Sequence, residues 1–330
     1  MINWGIIGLG NMANVFINSL EHLNDTRVLA IASKKTNKIK QHAKRLKISK
    51  NYCFSNYSEL INCPLIDIVY ITLPNNFHFR YIDEALNKGK HVLVEKPAFI
   101  SLSEEKKISK SINDGEKFFF EGFSYLHSKV TTDIIDLIQN KIIGELLEIN
   151  MQLGYCIVPS LSNFEKLLDK LKSQHRLFKK KMGGGCVLDL GCYLISFLQL
   201  LINLDNYTII NKILTYGSKQ VEIDAKIQII TEEGVKSNLH CSFIEDLESQ
   251  IKIKGTSGQI IIKNLWSGMG TTVHLNNQPL NFTVYDENNF SSQISNMNYC
   301  INTRGNNYDS LLYSNFSSSK NIRFIEEWKS

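Results

Sequence analysis

The first dozen residues constrain the fold more than any other stretch. Trp4 to Leu9 is a short apolar run, and its end overlaps Gly8-Leu9-Gly10-Asn11-Met12-Ala13, which has G-x-G-x-x-A spacing and leads into a helical pattern. A strand that turns tightly into a helix opens a β-α-β unit, and the next strand then lies parallel to the first. Each small residue has a reason. Gly8 permits the turn, Gly10 leaves the backbone open to a pyrophosphate, and Ala13 lets the helix lie close to the sheet. The helix start, with Asn11 and Met12, would face a diphosphate with free N–H groups and partial positive charge.

The same grammar continues to about residue 121. Helix is expected over Asn11–Leu23, Lys38–Leu46, Phe79–Lys88 and Ser103–Asn113, with Gly89 closing the third and Ser103 capping the fourth. Strands are expected at Arg27–Ala32, Ile66–Leu73, His91–Val94 and Phe118–Glu121. Ile66–Leu73 is apolar throughout, as a strand covered on both faces must be. The prediction is a doubly wound parallel sheet over residues 1–121.

From residue 122 the pattern changes. Helical segments at Thr132–Asn140 and Leu190–Ile202 precede hairpin signals. Glu232-Glu233-Gly234 separates Asp224–Thr231 from Val235–Phe243, and a glycine-containing turn separates Gln250–Lys254 from Gln259–Asn264. Asn276-Asn277-Gln278-Pro279 separates Thr272–Leu275 from Leu280–Tyr285. Hairpins in series predict an antiparallel sheet, so residues 122–330 read as an α+β domain. The Ser- and Asn-rich stretch Asn288–Lys320 reads as loops before a last helix near Ile322–Trp328.

Composition narrows the class. The 330 residues are 43% hydrophobic and 21% charged, enough to bury two cores. The net charge of +5 comes from scattered lysines, with no long basic block, which argues against nucleic acid as a partner. The N-terminus leads straight into a strand without a signal-peptide pattern, and the apolar part of Val187–Leu204 reads as a core helix too short for a bilayer. Seven dispersed cysteines show no metal-ligand spacing, so no metal is expected and the thiols suit a reducing cytoplasm.

Three segments carry candidate chemistry. Ser33-Lys34-Lys35 ends the second strand, where an acidic residue would favour NAD; a hydroxyl and two cations favour NADP(H), with NAD(H) as the alternative. Leu73-Pro74-Asn75-Asn76-Phe77-His78 and Glu95-Lys96-Pro97 follow strands at the carboxyl edge, where such sheets bind ligands. His78 could serve the loop or the cofactor. Lys96 could hydrogen-bond a substrate hydroxyl and stabilise a phenolate, with Glu95 orienting it. Gly183-Gly184-Gly185 opens a helix containing Asp189 and Tyr193, which share a face at four-residue spacing. A tyrosine whose pKa is lowered by an ammonium is a suitable acid/base for alcohol–ketone chemistry. Each has a bland reading: Lys96 paired with Glu95, Asp189 as a cap, Tyr193 as packing.

Together these elements resemble the Gfo/Idh/MocA family, named for glucose-fructose oxidoreductase and inositol dehydrogenase. The resemblance rests on Trp4–Gly10, Thr72–His78, Gly89–Pro97, Glu121-Gly122-Phe123, Ile143-Gly144-Glu145 and G-G-G-x-x-x-D-x-G-x-Y at 183–193. It implies an N-terminal Rossmann domain and a C-terminal domain with a large open, mainly antiparallel sheet, through which members form dimers or tetramers. It implies that Lys96 lies near the nicotinamide, that Asp189 contacts substrate and that Tyr193 is the proton donor or acceptor. Tyr193 stands where many members have histidine, as in the branch of glucose-fructose oxidoreductase, dihydrodiol dehydrogenase and sugar ketoreductases. The family arginine after Glu121 is missing, which leaves Tyr125 and His127 as substitutes, and Arg176 matches a family segment that reaches substrate. The expected activity is hydride transfer between nicotinamide and a secondary alcohol or ketone of a sugar, sugar nucleotide or polyol. The alternatives are a non-sugar substrate such as a dihydrodiol, or a catalytically silent NADP-binding sensor or assembly subunit.

Overall fold

The structure, a computed structural model, describes residues 1–20, 23–113, 117–157, 176–217, 220–267, 270–280, 289–304 and 312–330. It divides into two units: Met1–Ser124 with Asn288–Ser314, and Tyr125–Glu287 with Asn315–Ser330. Residues 288–314, assigned by sequence to the second domain, thus cluster with the first.

The first unit is built on six parallel strands: β1 (Ile2–Ile7), β2 (Thr26–Ala32), β3 (Cys53–Phe54), β4 (Ile68–Ile71), β5 (His91–Val94) and β6 (Phe119–Glu121). Their order is β3-β2-β1-β4-β5-β6. Ile68, Val69, Tyr70 and Ile71 are all buried, as a doubly covered strand requires. The helices are α1 (Asn11–Leu20), α2 (Thr36–Leu46), α3 (Tyr57–Ile61), α4 (His78–Asn87) and α5 (Leu102–Asn113). The cap of α5 is Ser101, not Ser103: the Ser101 hydroxyl accepts from the Glu104 N–H at 3.3 Å. Trp4 and Tyr70 both pack on Phe16 of α1, at 5.0 and 4.1 Å between ring centres.

The second unit contains α6 (Lys129–Gln139), then α7 (Cys192–Leu201), which continues a π-helical turn at Val187–Gly191. Its sheet has eight strands: β7 (Leu146–Gly154), β8 (Tyr207–Tyr216), β9 (Glu222–Thr231), β10 (Lys236–Ser242), β11 (Gln250–Gly255), β12 (Gln259–Lys263), β13 (Thr272–Leu275) and β14 (Gln278–Leu280). The order is β14-β13-β12-β11-β7-β10-β9-β8, antiparallel except for β7 against β10. The sequence reading missed β7 and β8. It also made the last hairpin turn too long. Asn276 and Asn277 alone take positive φ, as a two-residue hairpin turn requires, while Gln278 and Pro279 belong to β14. The later part of the expected strand Leu280–Tyr285 lies outside the described residues.

Two expectations are corrected. Within the stretch read as loops, Asn289–Asn302 is a helix, α8; it packs on α1, with the Ser291 hydroxyl donating to the Ser19 carbonyl at 3.0 Å. Its buried face mixes amides, Asn289, Gln293 and Asn298, with Ile294, Met297 and Cys300; the apolar residues keep helical spacing, but the surrounding Ser and Asn residues masked it. The apolar stretch runs further than expected: by length and composition alone the 22 residues Lys180–Leu201 could cross a membrane, but the continuous helix is Val187–Leu201 and 72% of the apolar window is buried, as in a core helix. The final helix, α9 (Ser318–Lys329), lays Trp328 3.1 Å from where a Cβ on Gly191 would stand.

His91 is a half-buried base that the fold keeps neutral. Its Nδ1 accepts the Phe118 N–H at 3.0 Å, and burial lowers its pKa from 6.5 to about 4. Burial lowers that of His127 to about 3. Both histidines bind fewer protons folded than unfolded. Their contribution is therefore complete above about pH 6.5 and is lost as pH falls below it. Urea midpoints measured from pH 7 to pH 4 should fall, and His91→Gln should remove part of that slope, on the order of 2 kcal/mol.

Candidate active site

In the first unit, the turn after β1 is shaped for close approach. Gly8 has φ +91°, and a Cβ there would lie 2.7 Å from the Thr72 carbonyl oxygen. Its N–H donates to the Ala32 carbonyl at 3.0 Å, and the Thr72 hydroxyl donates to the Gly8 carbonyl at 2.7 Å. Nothing lies within 4 Å of a Cβ built on Gly10, so the outer side of the turn is open space. Asn11 and Met12 are exposed at the start of α1. A glycine cradle with an open outer side at a helix N-terminus fits a dinucleotide diphosphate.

At the end of β2, the Ser33 hydroxyl accepts the Lys35 N–H at 3.1 Å, and Lys34 and Lys35 are exposed. The Lys34 ammonium stands 5.2 Å from the centre of the Tyr57 ring. Sequence reasoning missed Lys38. From the first turn of α2 its ammonium donates to the Leu9 carbonyl at 2.6 Å, inside the glycine turn. The readable signal was a third lysine in the first turn of the helix that follows Lys34-Lys35.

The carboxyl edge gathers the other candidates. Leu73 and Pro74 are half-buried and Asn75 is buried. His78 is fully buried, its Nδ1 2.9 Å from the Pro97 carbonyl oxygen and its Nε2 2.7 Å from that of Leu73. It ties the loop after β4 to the loop after β5. The Lys96–Pro97 bond is cis. Glu95 is buried and accepts the Tyr70 hydroxyl, so its carboxylate is held from the middle of β4; Lys96 beside it is half-buried. Tyr70 gave no sequence signal beyond a hydroxyl in an apolar strand.

In the second unit, the glycine triplet packs against the turn that carries Arg176. The Gly185 N–H donates to the Leu177 carbonyl at 2.9 Å, and a Cβ on Gly184 would lie 2.5 Å from that oxygen. Gly185 has φ +112°, and a Cβ there would lie 2.2 Å from a carboxylate oxygen of buried Glu222. This packing sets the Arg176 guanidinium 3.5 Å from Asp189. From Gly183 to Leu198 every residue is buried except Asp189 and Tyr193. The helix thus presents one carboxylate and one phenol from an otherwise closed surface.

Tyr125 and His127, expected as substitutes at the pocket wall, are buried at 1% and 7% exposure. Tyr125 stands behind Tyr193, ring centres 6.3 Å apart, and Trp266 lies 6.4 Å from Tyr193 on another contact. The Ser196 hydroxyl donates to the Tyr193 carbonyl at 2.8 Å and therefore accepts the Tyr125 hydroxyl, 2.7 Å away. Burial pushes the Tyr125 phenol well above its usual pKa, so it stays a neutral donor. Ser196 and Trp266 were not foreseen, because a serine and a tryptophan in apolar runs carry no distinguishing pattern. Lys96 belongs to the first unit, and Asp189 and Tyr193 belong to the second.

Comparison with known proteins agrees with this geometry. Residues 2–123 match the model of an oxidoreductase family with an NAD-binding Rossmann fold, and residues 132–261 match the Gfo/Idh/MocA C-terminal domain. A trans-1,2-dihydrobenzene-1,2-diol dehydrogenase of Xenopus laevis is 29% identical over 289 residues, 85% of this chain and 81% of that protein. A dTDP-3,4-didehydro-2,6-dideoxy-alpha-D-glucose 3-reductase of Actinomadura kijaniata is 24% identical over 282 residues, 84% of this chain and 80% of that protein. Among solved structures, an aldose-aldose oxidoreductase from Caulobacter crescentus superposes with TM-score 0.83 at 20% identity, covering 99% of this chain and 96% of that one. A 3-ketoreductase from Actinomadura kijaniata, solved with NADP and TDP-benzene, gives 0.81 at 20% identity, covering 98% and 96%. With both of its units matched, the chain belongs to the Gfo/Idh/MocA oxidoreductase family, whose named relatives here are dehydrogenases and reductases of hydroxyl and keto groups.

Proposed function

We propose that the chain is an NADP(H)-dependent oxidoreductase acting on a secondary alcohol or ketone of a sugar, sugar nucleotide or related polyol. The carrying observation is the exposure pattern of the Gly183–Leu198 segment, closed everywhere except at Asp189 and Tyr193. Gly8, Gly10, Asn11, Met12, Leu73, Pro74, Asn75 and His78 would hold or shape the dinucleotide site. Ser33, Lys34, Lys35 and Lys38 would meet a 2'-phosphate. When bound, the nicotinamide supplies the hydride donor or acceptor.

The protein's part is proton transfer and positioning. In reduction, the Tyr193 phenol gives its proton to the forming alkoxide; in oxidation, the phenolate takes it. Asp189, held by Arg176, accepts a hydrogen bond from a neighbouring substrate hydroxyl. Lys96 donates to the reacting oxygen and favours the charged form of a phenol, while Glu95, anchored by Tyr70, fixes its backbone. Tyr125, Ser196 and Trp266 hold the Tyr193 segment.

A dihydrodiol substrate is the second reading, favoured by the 29% identity to a dihydrodiol dehydrogenase and by the aromatic residues around Tyr193. We further propose that copies associate through the eight-stranded sheet. Its edge strand β8 leaves Ile209, Ile210, Ile213 and Tyr216 exposed, which an isolated chain seldom tolerates. A cytoplasmic location agrees with seven free cysteines.

Fluorescence titration should show tighter binding of NADPH than NADH. Lys34→Ala with Lys38→Ala should reduce that preference by about tenfold or more, roughly 1.4 kcal/mol. Equal affinities in the parent protein would remove the 2'-phosphate argument. With a panel of keto-sugars, nucleotide sugars and dihydrodiols, Tyr193→Phe should lower kcat by about a hundredfold or more at similar KM. Unchanged turnover in that variant would reject Tyr193 as the proton donor. Gly8→Ala should abolish measurable dinucleotide binding at an unchanged melting temperature of the second unit. Sedimentation should show a dimer or tetramer that Ile213→Glu weakens.

A further inference from the structure

The sequence showed no metal spacing, because spacing rules see ligands that are close along the chain. The sheet of the second unit collects a set that is not. Asp224 on β9, His240 on β10 and Glu245 just beyond β10 place one ligand atom each within 4.8 Å of one another. His240 Nε2 lies 2.8 Å from an Asp224 carboxylate oxygen. The strand register explains the pairing: Ser242 lies opposite Asp224, and His240, two residues earlier, shares that face. The Ser242 hydroxyl accepts the N–H groups of Ile244 and Glu245 at 3.1 and 3.0 Å, and so turns Glu245 back toward the pair.

We propose that Asp224, His240 and Glu245 form a binding site for a divalent cation of the zinc class. One imidazole nitrogen and two carboxylates are a ligand set that zinc accepts with water in the remaining position. Two ligand atoms 2.8 Å apart, each about 2.1 Å from one ion, subtend roughly 84°, so the pair need separate by only about 0.6 Å to reach the tetrahedral angle zinc prefers. Charge gives a second reason. Asp224 is 6% exposed, and its carboxylate lies close to that of Glu245, where like charges repel. An ion between them removes that repulsion. Lys226, opposite His240 in the register, is the neighbouring cation, but it is exposed, where water screens its charge. The graded burial of buried Asp224, half-buried His240 and exposed Glu245 leaves the solvent side open for exchange.

The site is separate from the proton-transfer residues. Cys241 packs toward Gly191 of the helix that bears Asp189 and Tyr193, 3.5 Å from where a Cβ there would stand. Alternation puts His240 on the opposite face, where it lines a groove of about 440 Å3 with Lys226, Gln152 and Asn238. The ion would therefore clamp β9, β10 and the following turn rather than take part in the reaction.

The test uses the full-length protein, stripped with chelator and titrated with ZnCl2 by calorimetry, with metal content measured after dialysis. The expected result is one zinc per chain, weakened at least about tenfold by His240→Ala and by Glu245→Gln. A zinc-dependent rise in melting temperature should disappear in both variants. Glu245 is exposed, so its variant tests the site without disturbing the core. Failure of zinc, manganese, cobalt and nickel to bind stoichiometrically would overturn the proposal. So would zinc bound with equal affinity by both variants, which would assign it to thiols.

Discussion

Burial on both faces is the constraint from which the first unit follows. Along β4 every side chain is buried, and β1 and β5 are nearly as closed, so these strands can offer side-chain chemistry only at their ends. Parallel strands bring their carboxyl ends to one edge, and there the chain places the Gly8 turn, Leu73–His78 and Glu95–Pro97. Several of the polar groups buried inside are committed to the loops. Tyr70 binds Glu95, His78 spans two loop carbonyls, and the Glu121 carboxylate accepts the Ala98 N–H. Each buried polar atom left unpaired would cost more than a bond gains, so these contacts also fix the loops they hold.

The second unit meets the same constraint with a helix. The Gly183–Leu198 stretch is enclosed by Trp328, Cys241, Tyr125 and the Arg176 turn, and its glycines let those neighbours approach. Enclosure on nearly every side singles out Asp189 and Tyr193. The π turn at Val187–Gly191 carries Asp189, and such wide turns recur where a helix must re-aim a side chain. The sheet beneath divides labour by alternation: Cys241 serves the helix side, and His240 serves the open side.

Much of this was legible from the chain alone, for reasons that can be named. The glycine turn, the apolar strands and the hairpins are local: their signals lie within a few residues of the structures they specify. Two of the lost elements had local signals that were overlooked. Strand β7 alternates apolar and polar residues from Leu147 to Leu153, as a half-buried strand does, and pairs on both sides with β10 and β11. Helix α8 keeps Ile294 and Met297 on its buried face, but amides share that face and Ser and Asn dominate the stretch. Tyr125 and His127 had the right chemistry for a pocket wall, but their surroundings enclosed them.

By itself the sequence determined the two-part plan, the dinucleotide turn, the cations after β2 and the pair of catalytic candidates four residues apart. Those depend on propensity, spacing and residue type, which act locally. Only the tertiary structure decided which polar groups are enclosed and which are presented. Asp189 and Tyr193 stay accessible, whereas Tyr125, His78 and Glu95 are drawn into packing. It also brought Lys38 to the glycine turn and set Asp224, His240 and Glu245 on one face. The reason is that burial and charge proximity arise between segments far apart in the chain, and no local pattern records them.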